Sequence, residues 1–129
     1  MYEETTRDIR VVVEPSFLED QSDPDRNKYL WAYRISIENR SRESVQLMSR
    51  HWKITDARGQ VREVHGPGVV GEQPVIAPGE CFEYTSGAPL ETPSGFMQGS
   101  YTMRGLAGEF DIGIPLFSLD SPYETRRLH

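Results

Sequence analysis

The sequence predicts an all-β domain, a sandwich of two antiparallel sheets built from about seven short strands. Three observations carry that expectation. Apolar residues alternate with polar ones at period 2 in segment after segment, Gly- and Pro-rich turns separate the segments, and helical periodicity is almost absent.

Ile9 to Glu14 place Ile9, Val11 and Val13 on one face. YLWAYRISIEN is the clearest strand, with Trp31, Tyr33, Ile35 and Ile37 inward and Ala32, Arg34, Ser36 and Glu38 outward. That alternation is what a sheet with one buried and one wet face demands. In SVQLMSRHWKITD, Val45 and Leu47 share one parity and Trp52 and Ile54 the other. A β-bulge near Ser49 to His51 reconciles them, because one extra residue flips the faces of all that follow. Asp56-Ala57-Arg58-Gly59 reads as a type I turn closed by a positive-φ glycine, returning through Gln60 to His65.

Residues 66–79 form a long loop ending in Pro78-Gly79, the pair a type II turn prefers. Glu80 to Thr85 is a strand with Phe82 and Tyr84 on one face, followed by a second loop from Ser86 to Ser94. Phe96 to Arg104 and Glu109 to Leu116 make the last hairpin. Its first arm alternates Met97, Gly99, Tyr101 and Met103, and its second Phe110, Ile112, Ile114 and Leu116. A tail follows Leu119 and is expected to be loose.

The chain of 129 residues is one domain in size and can bury one core. Its net charge of −6 argues against general nucleic-acid binding and against docking on anionic lipid, since both need a basic surface. Arg7, Arg10, Arg34, Arg40, Arg42, Arg50 and Arg58 remain available for a local patch. Cys81 is the single cysteine, so no intrachain disulfide forms and the fibronectin-like variant of the sandwich is favoured over the antibody type. The start Met1-Tyr2-Glu3-Glu4 is acidic where a signal peptide is basic, and the longest apolar run, Tyr29 to Tyr33, is too short to span a bilayer. The expected location is the cytoplasm, without membrane insertion.

Gly66, Gly68 and Gly71 spell G-x-G-x-x-G, the spacing of a dinucleotide fingerprint. That fingerprint works by opening a helix whose N-terminus receives pyrophosphate. Here EQPVIAPGE follows, and proline inside a helix costs roughly 3 kcal/mol. The glycines therefore shape a sharp loop. His51, His65 and His129 offer no close pair at zinc spacing, so no metal site is assigned. Glu19, Asp20, Asp23 and Asp25 form a solvated acidic loop, lacking the calcium pattern. Cys81 reads as structural, and no serine sits in a nucleophile elbow. Arg50, His51 and Trp52 lie where parity breaks, and Trp and Arg are frequent binding hot spots. The competing reading is a core tryptophan at Trp52.

The blocks SRHW, GPGVVGEQP, PGE-x-F-x-YTSG and TPSG-x-M-x-G-x-Y occur in this order, and from about Ile9 to Leu119 the chain resembles the ApaG family. The resemblance implies an immunoglobulin-like or fibronectin type III-like sandwich. It also implies a protein-binding role, as in related domains of F-box proteins and of a polymerase-delta-interacting protein. It further implies links to cobalt resistance and magnesium efflux, and a pyrophosphate site at Gly66, Gly68 and Gly71.

Together these readings point to a noncatalytic protein-binding domain whose partner is another protein, with no cofactor. Sandwiches bind through end loops and exposed sheet edges. The candidate surface comprises Arg50, His51, Trp52, Gly66, Gly68, Val69, Val70, Gly71, Thr85, Ser86 and Gly87, with Val69 and Val70 as an exposed apolar tip. The alternative is a sensor for a phosphorylated nucleotide, pyrophosphate or divalent cation, and third a hydrolase or transferase. A homo-oligomer through an unpaired edge strand is also compatible with the sequence.

Overall fold

A computed structural model of the chain describes residues 1–124. Its nine strands are β1 (Tyr2–Thr6), β2 (Ile9–Phe17), β3 (Tyr29–Asn39), β4 (Val45–Asp56), β5 (Val61–Pro67), β6 (Val75–Ile76), β7 (Cys81–Leu90), β8 (Gly95–Gly105) and β9 (Gly108–Leu119). They form a front sheet in the order β1-β2-β3-β7 and a back sheet in the order β5-β4-β8-β9, with β6 paired to the start of β4. Every pairing is antiparallel. Among the described residues no helix is long and apolar enough to cross a membrane.

The two inner faces make one core. The front sheet contributes Ile9, Val11, Val13, Trp31, Tyr33, Ile35, Ile37 and Tyr84, and the back sheet Leu47, Trp52, Met97, Tyr101, Met103, Ile112 and Phe117. Each fully buried large apolar side chain is worth roughly 1.5–3 kcal/mol, so this interdigitated layer is the main stabilising term. Two strands beyond the expected seven are β1, whose acidic YEETT hides its alternation, and β6, only two residues long in a proline-rich stretch.

Bulges set the parity. The register of β4 against β8 shifts between Leu47 and Ser49, so Met48 is the extra residue, one position before the expected bulge. It turns Leu47 and Trp52 to the same side. A second shift, between Met97 and Gly99, is a bulge in β9, where Pro115 and Leu116 face the single residue Gln98 and the missing proline N–H costs no ladder bond. It reverses the expected facing of Leu116, which is exposed, and brings in Phe117 and Leu119 instead.

Both turns legible from the sequence are present. Gly59 has φ +84° and donates its N–H to the Asp56 carbonyl, and Gly79 has φ +83° before the Glu80 N–H bonds the Ala77 carbonyl. The expected loop from Ser86 is instead mostly strand, since β7 continues to Leu90 against β3. Residues 120–124 are tied down rather than loose. The Trp31 Nε1–H donates to the Asp120 carbonyl at 2.7 Å, and Tyr123 packs on Phe17 and Tyr29. The rest of the expected tail lies outside the described residues.

The long sides of the sandwich differ. Where β1 and β2 cover β9 the sheets are joined: the Tyr2 hydroxyl meets Ser118 Oγ at 2.8 Å, and the Gly113 N–H donates to Thr6 Oγ1. On the other side the edge strands β7 and β5 stand apart, and two clefts open between them.

Candidate functional site

The pleat divides the SRHW segment between two faces of the back sheet. Arg50 and Trp52 share the inward parity with Val64 and Gly66 of β5, while His51 faces outward beside His65. Trp52 is a core residue, 3% exposed, with its ring edge-on to Tyr33 at 5.4 Å and to Phe117 at 6.0 Å. Arg50 lies at the open side, half-buried, across the backbone of β5. A Cβ at Gly66 would stand 2.8 Å from its guanidinium, so any larger residue there displaces the end of the Arg50 side chain from this position. The guanidinium Nη1 donates to the carbonyls of Pro67 at 3.1 Å and Gly68 at 2.9 Å. Arg10, Arg34 and Arg40 each sit against a carboxylate, but among the described residues Arg50 has no such partner.

Beyond Arg50 the chain makes a tight reversal. Val69 and Glu72 exchange backbone hydrogen bonds, and the two residues between them, Val70 at φ +44° and Gly71 at φ +82°, have the signs of a type I′ turn. Gly68 is required by space as well as by its φ of +58°, since a Cβ would come within 2.0 Å of the Glu72 carbonyl oxygen. A β-branched residue in the left-handed region is strained by about 1–2 kcal/mol, and such strain gathers at functional sites. The turn exposes Val70 but buries Val69, which is 1% exposed, so the expected tip of two valines is a single exposed valine above a core one. The N–H groups of Gly68, Val69 and Glu72 all donate to backbone carbonyls, Gly68 to that of Met48. Those donors are therefore not turned toward a phosphate.

The resulting cleft, of about 310 Å³, is lined by Tyr33, Arg50, Trp52, Val69, Val70 and Ser86, with Pro67, Gly71 and Tyr84. On its floor the Tyr84 and Tyr101 hydroxyls bond each other. Burial pushes both hydroxyls above the usual phenol range, and Tyr33 likewise, so they stay protonated and neutral. Below the unfolded phenol value, about 10, the two states bind equal protons and this contribution is intact. Above it the unfolded chain loses protons that the folded chain keeps, and stability falls by about 1.4 kcal/mol per pH unit for each such hydroxyl. Urea midpoints recorded from about pH 9 to 11.5 are expected to drop more steeply for the wild type than for the double variant Tyr84→Phe, Tyr101→Phe.

The polar inventory of the cleft is unbalanced. Trp52 Nε1 is buried with no hydrogen-bond partner, whereas the other tryptophan is satisfied by Asp120. A buried orphan donor costs roughly 1–3 kcal/mol. A cation without a carboxylate and a tryptophan whose buried N–H lacks an acceptor thus both belong to the lining of the same small space.

Of the residues singled out in the sequence, Arg50, Trp52, Val69, Val70, Gly71 and Ser86 meet here. Gly66 and Gly68 shape the cleft from beneath. Thr85 and Gly87 point to the outer face of the front sheet, and His51 to that of the back sheet. Tyr33, Tyr84 and Pro67 were not singled out, although strand parity already placed Tyr33 inward and set Tyr84 on one face with Phe82. The larger cleft, about 640 Å³, lies further along the same seam between Tyr29, Leu30, Ile54, Val61, Pro89 and Leu90. Cys81 is exposed, with its Sγ 2.8 Å from the Ser36 hydroxyl.

The blocks that shape this cleft fall within a match to the ApaG domain family model, which spans residues 19–105. The chain belongs to the ApaG family. Protein ApaG of Parvibaculum lavamentivorans is 59% identical over the whole of both chains. Protein ApaG of Rhodospirillum centenum is 60% identical over 98% of each. The crystal structure of an ApaA protein from Bordetella pertussis superposes with a TM-score of 0.86 at 48% identity, covering 90% of this chain and 95% of that one. The sandwich derived from the pleat of this sequence is thus an ApaG fold, with its open seam at β5 and β7.

Proposed function

We propose that this ApaG-family chain is a noncatalytic, cytoplasmic protein-recognition domain. A partner's extended segment lies along the free edge of β7 and places an acceptor group, a carboxylate or a carbonyl, in the Arg50–Trp52 cleft. The observation that carries this reading is the Arg50 guanidinium, a cation with no carboxylate partner among the described residues, in a cleft at an unpaired sheet edge whose wall includes Trp52 with its unpartnered N–H. An edge strand offers a row of free backbone groups to an incoming chain, which gives affinity, while neighbouring pockets give specificity. From Ser86 to Leu90 the two clefts are about 13 Å apart along β7, so one extended peptide reaches both. The connection to magnesium and cobalt homeostasis implied by the resemblance belongs to this reading as an effect exerted through the bound protein.

The Arg50 guanidinium can also donate to a phosphate oxygen, and that supports a second reading as a sensor of a phosphorylated nucleotide or pyrophosphate. The internally bonded turn weighs against it. A photo-crosslinking amino acid introduced at Val70 or Ser86 is expected to give a discrete higher-mass protein adduct in cells. The same group at Leu106, exposed on the β8–β9 turn, is expected to give none. No adduct from either cleft position, or the same adduct from Leu106, would reject the proposal. Saturable amide shifts of Val70 and Gly71 with pyrophosphate or ATP would favour the second reading.

A further inference from the structure

The outer face of the back sheet carries a second constellation, on the opposite side of β4 from the cleft and independent of it. His51 of β4 and His65 of β5 are direct cross-strand partners, and their rings stack at 4.1 Å with an interplanar angle of 8°. Glu63, two residues before His65, shares its face, and its carboxylate Oε1 lies 2.8 Å from His51 Nε2. Lys53 is the cross-strand partner of Glu63, yet the carboxylate turns to the imidazole. One potential ligand atom from each of His51, Glu63 and His65 falls within 4.8 Å of the others.

We propose that His51, Glu63 and His65 bind a divalent first-row transition metal such as zinc, nickel or copper. Around such an ion, ligand atoms at bonds of about 2.1 Å sit about 3.0–3.4 Å apart. The side chains therefore need only rotate inward, while the paired strands stay in place. Two imidazoles and one carboxylate select late first-row metals, whereas magnesium and calcium take oxygen ligands throughout. Three protein ligands leave coordination positions open to water or to a group from another molecule. All three residues are partly or fully exposed, so an ion has direct access. The linear spacing conceals the site, because the ligands meet only once the turn at Asp56–Gly59 folds β5 back on β4.

The test is a titration of tag-free, metal-free protein with Zn²⁺ and Ni²⁺, followed by calorimetry and by the imidazole resonances. One-to-one saturation is expected, with His51 and His65 shifting together and Mg²⁺ leaving both unmoved. Replacing His51 or His65 with Ala, or Glu63 with Gln, is expected to weaken binding by about tenfold or more. His129→Ala, which removes the remaining histidine of the sequence, is expected to bind as the wild type does. Undiminished binding in His65→Ala, or no saturation below millimolar metal, would overturn the proposal. Thermal melts of the metal-free variants distinguish lost ligation from lost fold. Because Val70 and Ser86 are not among the ligands, the crosslinking result stands or falls separately.

Discussion

Val69→Asp is expected to unfold much of the protein, whereas Val70→Asp, one residue on, should leave the melting temperature almost unchanged and abolish partner capture. The contrast follows from the type I′ reversal. Val69 is 1% exposed and packs in the core beside the cleft, while Val70 at 55% stands in solvent at the rim. Among the described residues Arg50 is the cation lining that cleft, and its guanidinium is already bonded to two carbonyls. A carboxylate at position 69 would be buried with poor compensation, at a cost of about 3–5 kcal/mol. That is a large share of the roughly 5–15 kcal/mol that holds a domain together. Urea unfolding of the two variants beside the wild type checks the first half, and crosslinking from Ser86 in the Val70→Asp background checks the second. Equal destabilisation by both substitutions would mean that Val70 also packs in the core, and the exposed rim would be lost as a recognition surface.

Trp52→Ala is expected to cost about 3–5 kcal/mol, read as a shift in the urea midpoint without a change in slope. The indole is wedged between Tyr33 and Phe117, one from each sheet, so its removal leaves a void at the layer interface. Trp52→Phe isolates the other property of this side chain. It keeps an aromatic ring in the void and deletes an N–H that has no partner in the fold, so no hydrogen bond is broken. It is expected to be much less destabilising than alanine and still to reduce adduct formation at Val70. If Trp52→Phe keeps the full adduct yield, the orphan N–H plays no part in recognition.

The strands of this fold were legible wherever one face is buried and the other wet. Trp31 to Ile37 and Met97 to Met103 alternate so regularly that the pleat alone places them. Legibility failed where a side chain's facing depends on a partner strand. Leu116 shows this, because the bulge at Pro115–Leu116 is defined only by the pairing with Gln98 of β8 and leaves no mark in the alternation of β9 alone. Val69 and Val70 show it differently: flanking glycines mark a turn, but only the exchange of bonds with Glu72 decides which valine faces in. The cleft was half visible. Arg50 and Trp52 come from β4 and Ser86 from β7 in the other sheet, and residue types alone grouped them while also including His51, Thr85 and Gly87, which the pleat turns away. The His51–Glu63–His65 group was invisible as a motif, since it depends on the hairpin register that sets His51 opposite His65.

The unequal closure of the two long sides has a thermodynamic consequence. Along β1 and β9 the sheets are fastened by side-chain bonds, while along β5 and β7 the layer of inner side chains ends at open clefts. The core is in that sense unfinished at one margin, and whatever settles there completes it. Recognition and folding then draw on the same contacts. An occupant that binds only the folded form raises the unfolding free energy in proportion to the logarithm of its concentration over its dissociation constant. Resistance to unfolding would thus report occupancy of the seam, even before the occupant has been identified.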